Sequence, residues 1–235
     1  MKVADKTYRS IWLDQQAPLV HVIDQTVLPF RFDVRTLNTV DAAAEAIGTM
    51  VVRGAPLIGV TAACGLYLAC HADSSDSNLH HACEQLLHAR PTAVNLRWAL
   101  DRILPTLLET PTVSRTTTAR TLAQQLCDED VATNSAIGDH GLELIKRHAH
   151  RSGTTTVNIL THCNAGWLAT VDWGTALSPV FKAHDSGISI HVWVDETRPR
   201  NQGASLTAWE LGAHGIPHTV IADNAGGHLM QHQQV

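Results

Sequence analysis

The apolar positions of this chain keep three rhythms in turn. In residues 8–32 they come in short alternating runs, Ile11-Trp12-Leu13 and Val20-His21-Val22-Ile23, parted by the turn-forming residues 14–18, which predicts short strands. From Thr39 the period lengthens. The segment TVDAAAEAIGTMVV reads as a helix with Thr39 or Asp41 as its cap. A very apolar second helix follows Arg53-Gly54-Ala55-Pro56 and runs to about Cys70. Residues 73–78 form a polar loop, HHACEQLLHA a short helix, and Arg90-Pro91-Thr92 precedes another, which Thr92 can cap.

The third rhythm begins beyond a long helical stretch that ends near residue 149. Strands near 156–160, 189–194 and 218–222 alternate with helices near 166–184 and 203–214, the last stopped by Gly215. Such a βαβαβ order predicts a parallel sheet. The expected fold is therefore α/β: a small N-terminal strand-plus-helix domain, residues 1–118, then a Rossmann-like parallel-sheet domain, residues 119–235. The Thr/Pro-rich segment 110–118 is the expected junction.

Composition narrows the function classes. The run 54–69 is almost uncharged, yet it falls short of the about 20 apolar residues of a spanning helix and carries an early proline. It reads as a buried core helix, so no membrane association is expected. A formal charge of −5 argues against a general nucleic-acid surface and makes any anion site local. Cysteines 64, 70, 83, 127 and 163 are odd in number and lack CxxC spacing, which suits a reducing, cytoplasmic setting. The first 14 residues have no apolar signal-peptide core.

Ligands of open α/β sheets bind outside the carboxyl ends of the strands. Here the three strands deliver Cys163, Asp195 and Asp223 to that edge. Cys163, in Thr-His-Cys-Asn-Ala-Gly, is expected at a helix N-terminus, whose partial positive charge favours thiolate. The other four cysteines fit apolar helix faces and read as small hydrophobes. Arg53, Gly54 and Ala55 before one helix, and Arg90 before another, combine a guanidinium with exposed backbone N–H groups, as a phosphate requires. Ordinary surface or paired arginines fit the same spacing. Gln202, uncharged and just before a helix, can hydrogen-bond sugar hydroxyls. Asp195 or Glu196 can hold Arg198 or Arg200, and Asp223 can orient a ligand or cap a helix. His228 and His232 are four apart but lack a third metal ligand. His162 neighbours Cys163 on a strand, where adjacent side chains diverge, which disfavours a hydrolase-like dyad.

The segments IDQTVLP, MVVRGAPLIGV, ARPTAVNLRWALDRI, EDVATNSAIGDHG, ILTHCNAG, VDETRPRNQGASLTAWEL and IADNAGGHLM together resemble the S-methyl-5-thioribose-1-phosphate isomerase family of methionine salvage. That family is related to ribose-1,5-bisphosphate isomerases and to regulatory subunits of a eukaryotic translation-initiation exchange factor. The resemblance implies an aldose-to-ketose isomerase acting on a small sugar phosphate, without cofactor or metal, as a homodimer. It implies Cys163 as catalytic residue and Arg53, Gly54, Ala55, Arg90 and Gln202 as substrate contacts. The ribose-1,5-bisphosphate branch fits RPTAVNLRWA and THCNAG less closely. Family enzymes also carry a GADRIA-like strand end with a catalytic aspartate, followed by an Asn-Lys pair. These 235 residues contain no such motif, so the expectation is a C-terminally truncated member with an incomplete sheet, dependent on a partner for stability and impaired in turnover. The alternative is a non-catalytic remnant or a regulatory or binding module.

Overall fold

The computed structural model describes residues 1–4 and 6–235. The chain opens on an antiparallel pair of short strands, β1 (Lys2–Val3) and β2 (Lys6–Thr7). A second antiparallel sheet follows in the order β3 (Ile11–Leu13), β4 (Val20–Ile23), β5 (Val34–Leu37). Its register sets Trp12 opposite His21 and His21 opposite Thr36, and the alternation buries Ile11, Leu13, Val20 and Val22.

Four helices come next: α1 (Val40–Gly48), α2 (Ala55–Ala72), α3 (Asp76–Ala89) and α4 (Val94–Glu109). Thr39 Oγ1 caps α1 by accepting the Ala42 N–H at 3.1 Å. Helix α3 starts earlier than expected, because Ser75 Oγ accepts the Asn78 N–H at 3.3 Å and turns most of the polar loop into a cap and first turn. Thr92 does not cap α4. Ala93 stands at that position, its N–H on the Arg90 carbonyl at 3.0 Å.

The threonine-rich segment 110–118 is a helix start rather than a linker, since α5 runs from Thr112 to Ser152. Buried Arg115 explains why. Its guanidinium donates to the carbonyls of Leu108, Thr110 and Ser74, and it pairs with Asp76 at 2.5 Å. Threonine propensity for turns is outweighed by those contacts. The chain forms two compact units that divide inside α5, between Asp130 and Val131. One comprises residues 10–27 and 31–130. The other comprises residues 1–9, 28–30 and 131–235, so the N-terminal strands join the sheet unit. There the Met1 ammonium holds Asp172 Oδ1 at 2.9 Å.

The first unit is built on α2. Residues 57–70 of that helix are all buried, packed against α1, α3 and α4. It is the one helix among the described residues long and apolar enough to cross a membrane, and these contacts make it a core element.

The second unit carries a parallel sheet in the order β6 (Val157–Thr161), β7 (Ile190–Asp195), β8 (His218–Ile221). Val157 lies opposite Ile190, and Asp195 opposite Ile221. Val157, Ile190, Val192 and Val194 are buried, as are Val180 and Phe181 of α6 (Ser178–Asp185) and Leu211 of α7 (Ala208–Ala213). A short helix, α8 (Gly226–Gln231), follows β8. The helix expected over 166–184 is largely missing. A 3-10 turn spans Trp167–Ala169, and α6 begins only at Ser178. Trp173 and Gly174 break the path with φ of 70° and 80°. Thr170 ties that turn, donating to Asp172 O and accepting the Gly174 N–H.

Candidate active site

The carboxyl ends of β6, β7 and β8 bring together the residues singled out there. Cys163 follows β6 by two positions and adopts φ 59°, left-handed and sterically unfavourable for a residue with a Cβ. Two side chains hold its backbone. Its N–H donates to Thr197 Oγ1 at 2.7 Å, and its carbonyl accepts from Thr207 Oγ1 at 2.7 Å. The thiol donates to Gln202 Oε1 at 3.1 Å. Two residues far apart in sequence, each selected for chemistry, therefore touch.

The loop after β7 is equally constrained. Thr197 and Asn201 take φ of 56° and 51°, and a left-handed β-branched threonine is rare. Asp223, beyond β8, holds this loop: Oδ1 accepts the Thr197 N–H at 2.5 Å and Oδ2 the Arg198 N–H at 2.7 Å. Asp223 is thus a clamp on the loop rather than a helix cap. Three left-handed residues around one thiol are the kind of local strain that concentrates at functional sites.

Asp195 corrects its expected role. Instead of holding Arg198 or Arg200, Oδ2 meets His162 Nδ1 at 3.2 Å, while Oδ1 is buried without a hydrogen-bond partner. His162 accordingly bonds to Asp195 and lies, like Cys163, beyond the end of β6. The expected helix N-terminus at Cys163 is absent, because only the 3-10 turn follows. What supports the thiol is the side-chain network, not a helix dipole.

The remaining cysteines behave as core residues. Cys64, Cys70, Cys83 and Cys127 are buried, whereas Cys163 is half-exposed. A hydrogen bond between the Cys64 and Cys127 thiols that favours the neutral form of Cys64, together with burial, pushes the Cys64 thiol well up. Burial raises Cys70, and takes Cys83 to about 11.

The other candidates lie in the helical unit. Gly54 is the N-cap of α2 at φ 92°, with Ala55 exposed and Pro56 in the first turn. Arg53 immediately before it is buried, which removes the reading of it as a surface charge. Arg90 terminates α3 and is half-buried. His228 and His232 stack at 4.0 Å between ring centroids around the end of α8. No group of three or more His, Cys, Asp or Glu suited to a metal occurs among the described residues.

Sequence reasoning missed Asn164, Thr207 and Glu210. Glu210 is fully buried and accepts from Asn164 Nδ2 at 2.8 Å, Trp167 N–H at 2.9 Å and Leu168 N–H at 3.1 Å. A glutamate inside the apolar run LTAWEL was the available signal, since a buried charge needs several donors.

Known proteins are similar to this chain along nearly its whole length. The chain is 58% identical to the methylthioribose-1-phosphate isomerase of Rhodospirillum rubrum over 99% of its own length and 61% of that protein's. It superposes on 5-methylthioribose 1-phosphate isomerase from Pyrococcus horikoshii with TM-score 0.87 and 39% identity, covering 98% of this chain and 64% of that one. The delta subunit of translation initiation factor eIF-2B from A. fulgidus gives TM-score 0.83 and 38% identity, over 97% and 66%. The chain thus spans somewhat under two thirds of the length of these relatives. The model of the Initiation factor 2 subunit family matches residues 51–235, from the residues before the Gly54 cap through all three parallel strands, and the chain belongs to that family.

Proposed function

We propose that this chain binds 5-methylthioribose 1-phosphate and interconverts it with the corresponding 1-phospho ketose, with Cys163 as the catalytic residue. The observation that carries the reading is the Cys163 thiol at 3.1 Å from Gln202 Oε1, at the carboxyl ends of three parallel strands. The 58% identity to an isomerase of that name supports it.

The chemistry sets the roles. A phosphate on C1 blocks spontaneous ring opening, so the ring oxygen must be protonated while hydrogen passes from C2 to C1. Solvent supplies that proton, since none of the residues assigned here is a carboxylic acid. Cys163 serves the reacting carbons and Gln202 a sugar hydroxyl. Arg53, Gly54, Ala55 and Arg90 are assigned as substrate contacts: the two guanidiniums offer charge-assisted bonds to phosphate, and the α2 cap offers backbone N–H groups. The reaction uses no cofactor or metal. A homodimer in the cytoplasm, with a small sugar phosphate rather than nucleic acid or membrane as partner, completes the reading.

The near-equal likeness to an initiation-factor subunit favours one second reading, a binding or regulatory module. Calorimetric titration of the purified chain with 5-methylthioribose 1-phosphate, alongside NMR detection of the ketose, separates the two. Binding with turnover that is lost in Cys163→Ala is the expected result. Binding without turnover selects the module, and absence of both overturns the proposal.

A further inference from the structure

We propose that Thr207 and Glu210 are positioning residues that set the backbone of Cys163 in its left-handed conformation and thereby aim the thiol. The inference rests on the reading of Cys163 as the reacting residue, and it goes beyond that reading by naming the groups that make its geometry possible.

A left-handed cysteine is disfavoured by its own Cβ, so something outside the residue must hold it. The carbonyl side is held by Thr207, whose Oγ1 donates to Cys163 O at 2.7 Å. Thr207 sits at the end of the π-helical turn Gly203–Thr207 and is completely buried, so water does not compete for that bond. The same oxygen accepts from Asn164 Nδ2 at 3.1 Å, and Asn164 also donates to Glu210 Oε1. Glu210 then gathers the Trp167 and Leu168 N–H groups, folding the turn that leaves Cys163. The seat is tight. A Cβ on Gly166 would run into the Glu210 carboxylate, so NAG (164–166) and TAWE (207–210) form one interlocked unit.

The linkage is directional. Thr207 grips the carbonyl of residue 163, and Glu210 fixes residues 164–168. Gln202, which accepts the thiol hydrogen bond, immediately precedes the same π-helical turn that ends at Thr207. A π-helical turn inserts one extra residue into a helix, and such insertions gather at functional sites. Here it sets Gln202 and Thr207 on the thiol and the carbonyl of one cysteine.

The test uses the full 235-residue chain and needs no turnover. Iodoacetamide alkylation, followed peptide by peptide in a mass spectrometer, reads Cys163 directly, because the other four cysteines are buried and report any unfolding. Thr207→Val keeps the shape and removes the hydroxyl, while Thr207→Ser keeps the hydroxyl. The expected result is a Cys163 alkylation rate changed about fivefold or more in Thr207→Val, the scale of one lost hydrogen bond, with Thr207→Ser near wild type and the buried cysteines unlabelled. Equal rates in wild type and Thr207→Val overturn the proposal, as does a Thr207→Ser variant that shifts as far as Thr207→Val.

Should Thr207→Val expose the buried cysteines, Glu210→Gln decides. It turns one acceptor into a donor facing an N–H, and the same rate change without global labelling is expected. Global labelling in both variants would make these residues general fold elements and sink the positioning role. Turnover gives an independent arm: Thr207→Val lowers kcat about tenfold with KM nearly unchanged. A wild-type chain without turnover would count against the isomerase reading alone, since the alkylation comparison stands apart from it.

Discussion

The two compact units hold their candidate residues by opposite means. In the helical unit, Arg53, Gly54 and Ala55 sit at the start of an 18-residue helix whose interior is buried, and regular secondary structure places them. In the sheet unit, Cys163 lies in an irregular loop and Gln202 at the start of a π-helical turn, with the neighbouring backbone locked by hydrogen bonds to the side chains of Thr197, Thr207, Glu210 and Asp223. A helix start offers fixed backbone donors, which suits a phosphate. A loop cross-linked by side chains can hold one sulfur in a conformation no regular element permits, which suits the reacting group.

Mutations can break this contrast in graded steps. Cys163→Ala should lower turnover by about 10²–10⁴-fold, the range for loss of an acid–base group, with the unfolding midpoint near wild type. Steady-state kinetics and thermal unfolding check both halves. Next is Gly166→Ala, which forces a methyl against the Glu210 carboxylate and should cost about 3 kcal/mol in urea unfolding. Gly54→Ala is its counterpart in the helical unit. At φ 92°, a conformation that a Cβ disfavours, it should cost about 1–2 kcal/mol.

Arg90→Gln should act on KM instead, raising it about tenfold or more with kcat nearly constant, because the proposed charged bond to phosphate would be made in both the ground state and the transition state. An equal fall in kcat would assign Arg90 to the chemical step and blur the division between the units. A smaller loss, about 1 kcal/mol in urea unfolding, is expected for Thr39→Ala, which removes the α1 cap and touches neither site.

The smallest effect is pH-dependent. Arg102 forms two hydrogen bonds with Glu129, at 2.6 and 2.7 Å, and this guanidinium holds the Glu129 carboxyl below its ordinary range. A depressed carboxyl contributes stability above its unfolded pKa and loses it as pH falls through the folded value. Both side chains are about half exposed, so Glu129→Gln should cost under about 1 kcal/mol at pH 7 and nothing once the pH is below the lowered range. Urea unfolding at both pH values measures it.

How much of this was legible in the sequence depended on the range of the interaction concerned. The α1 cap at Thr39, the burial of α2 and the three parallel strands all follow from contacts within a few residues or from hydrophobic period, and all appear as read. The 110–118 segment misled because the forces that make it helical, the bonds from Arg115 to Ser74 and Asp76, come from 40 residues away. Cys163 was marked by its polar, glycine-rich neighbours, yet its support was misassigned to a helix dipole.

The sequence by itself determined which residues could do chemistry and on which edge of a parallel sheet they would emerge, because strand period and turn chemistry are local properties. Only the tertiary structure decided that Cys163 is left-handed, that its thiol meets Gln202, and that Thr207, Glu210 and Asp223 bond the backbone of the loops beside it. The physical reason is burial. A carboxylate taken out of water, as Glu210 is, must find donors wherever the fold supplies them, and that search ends 42 to 46 residues away.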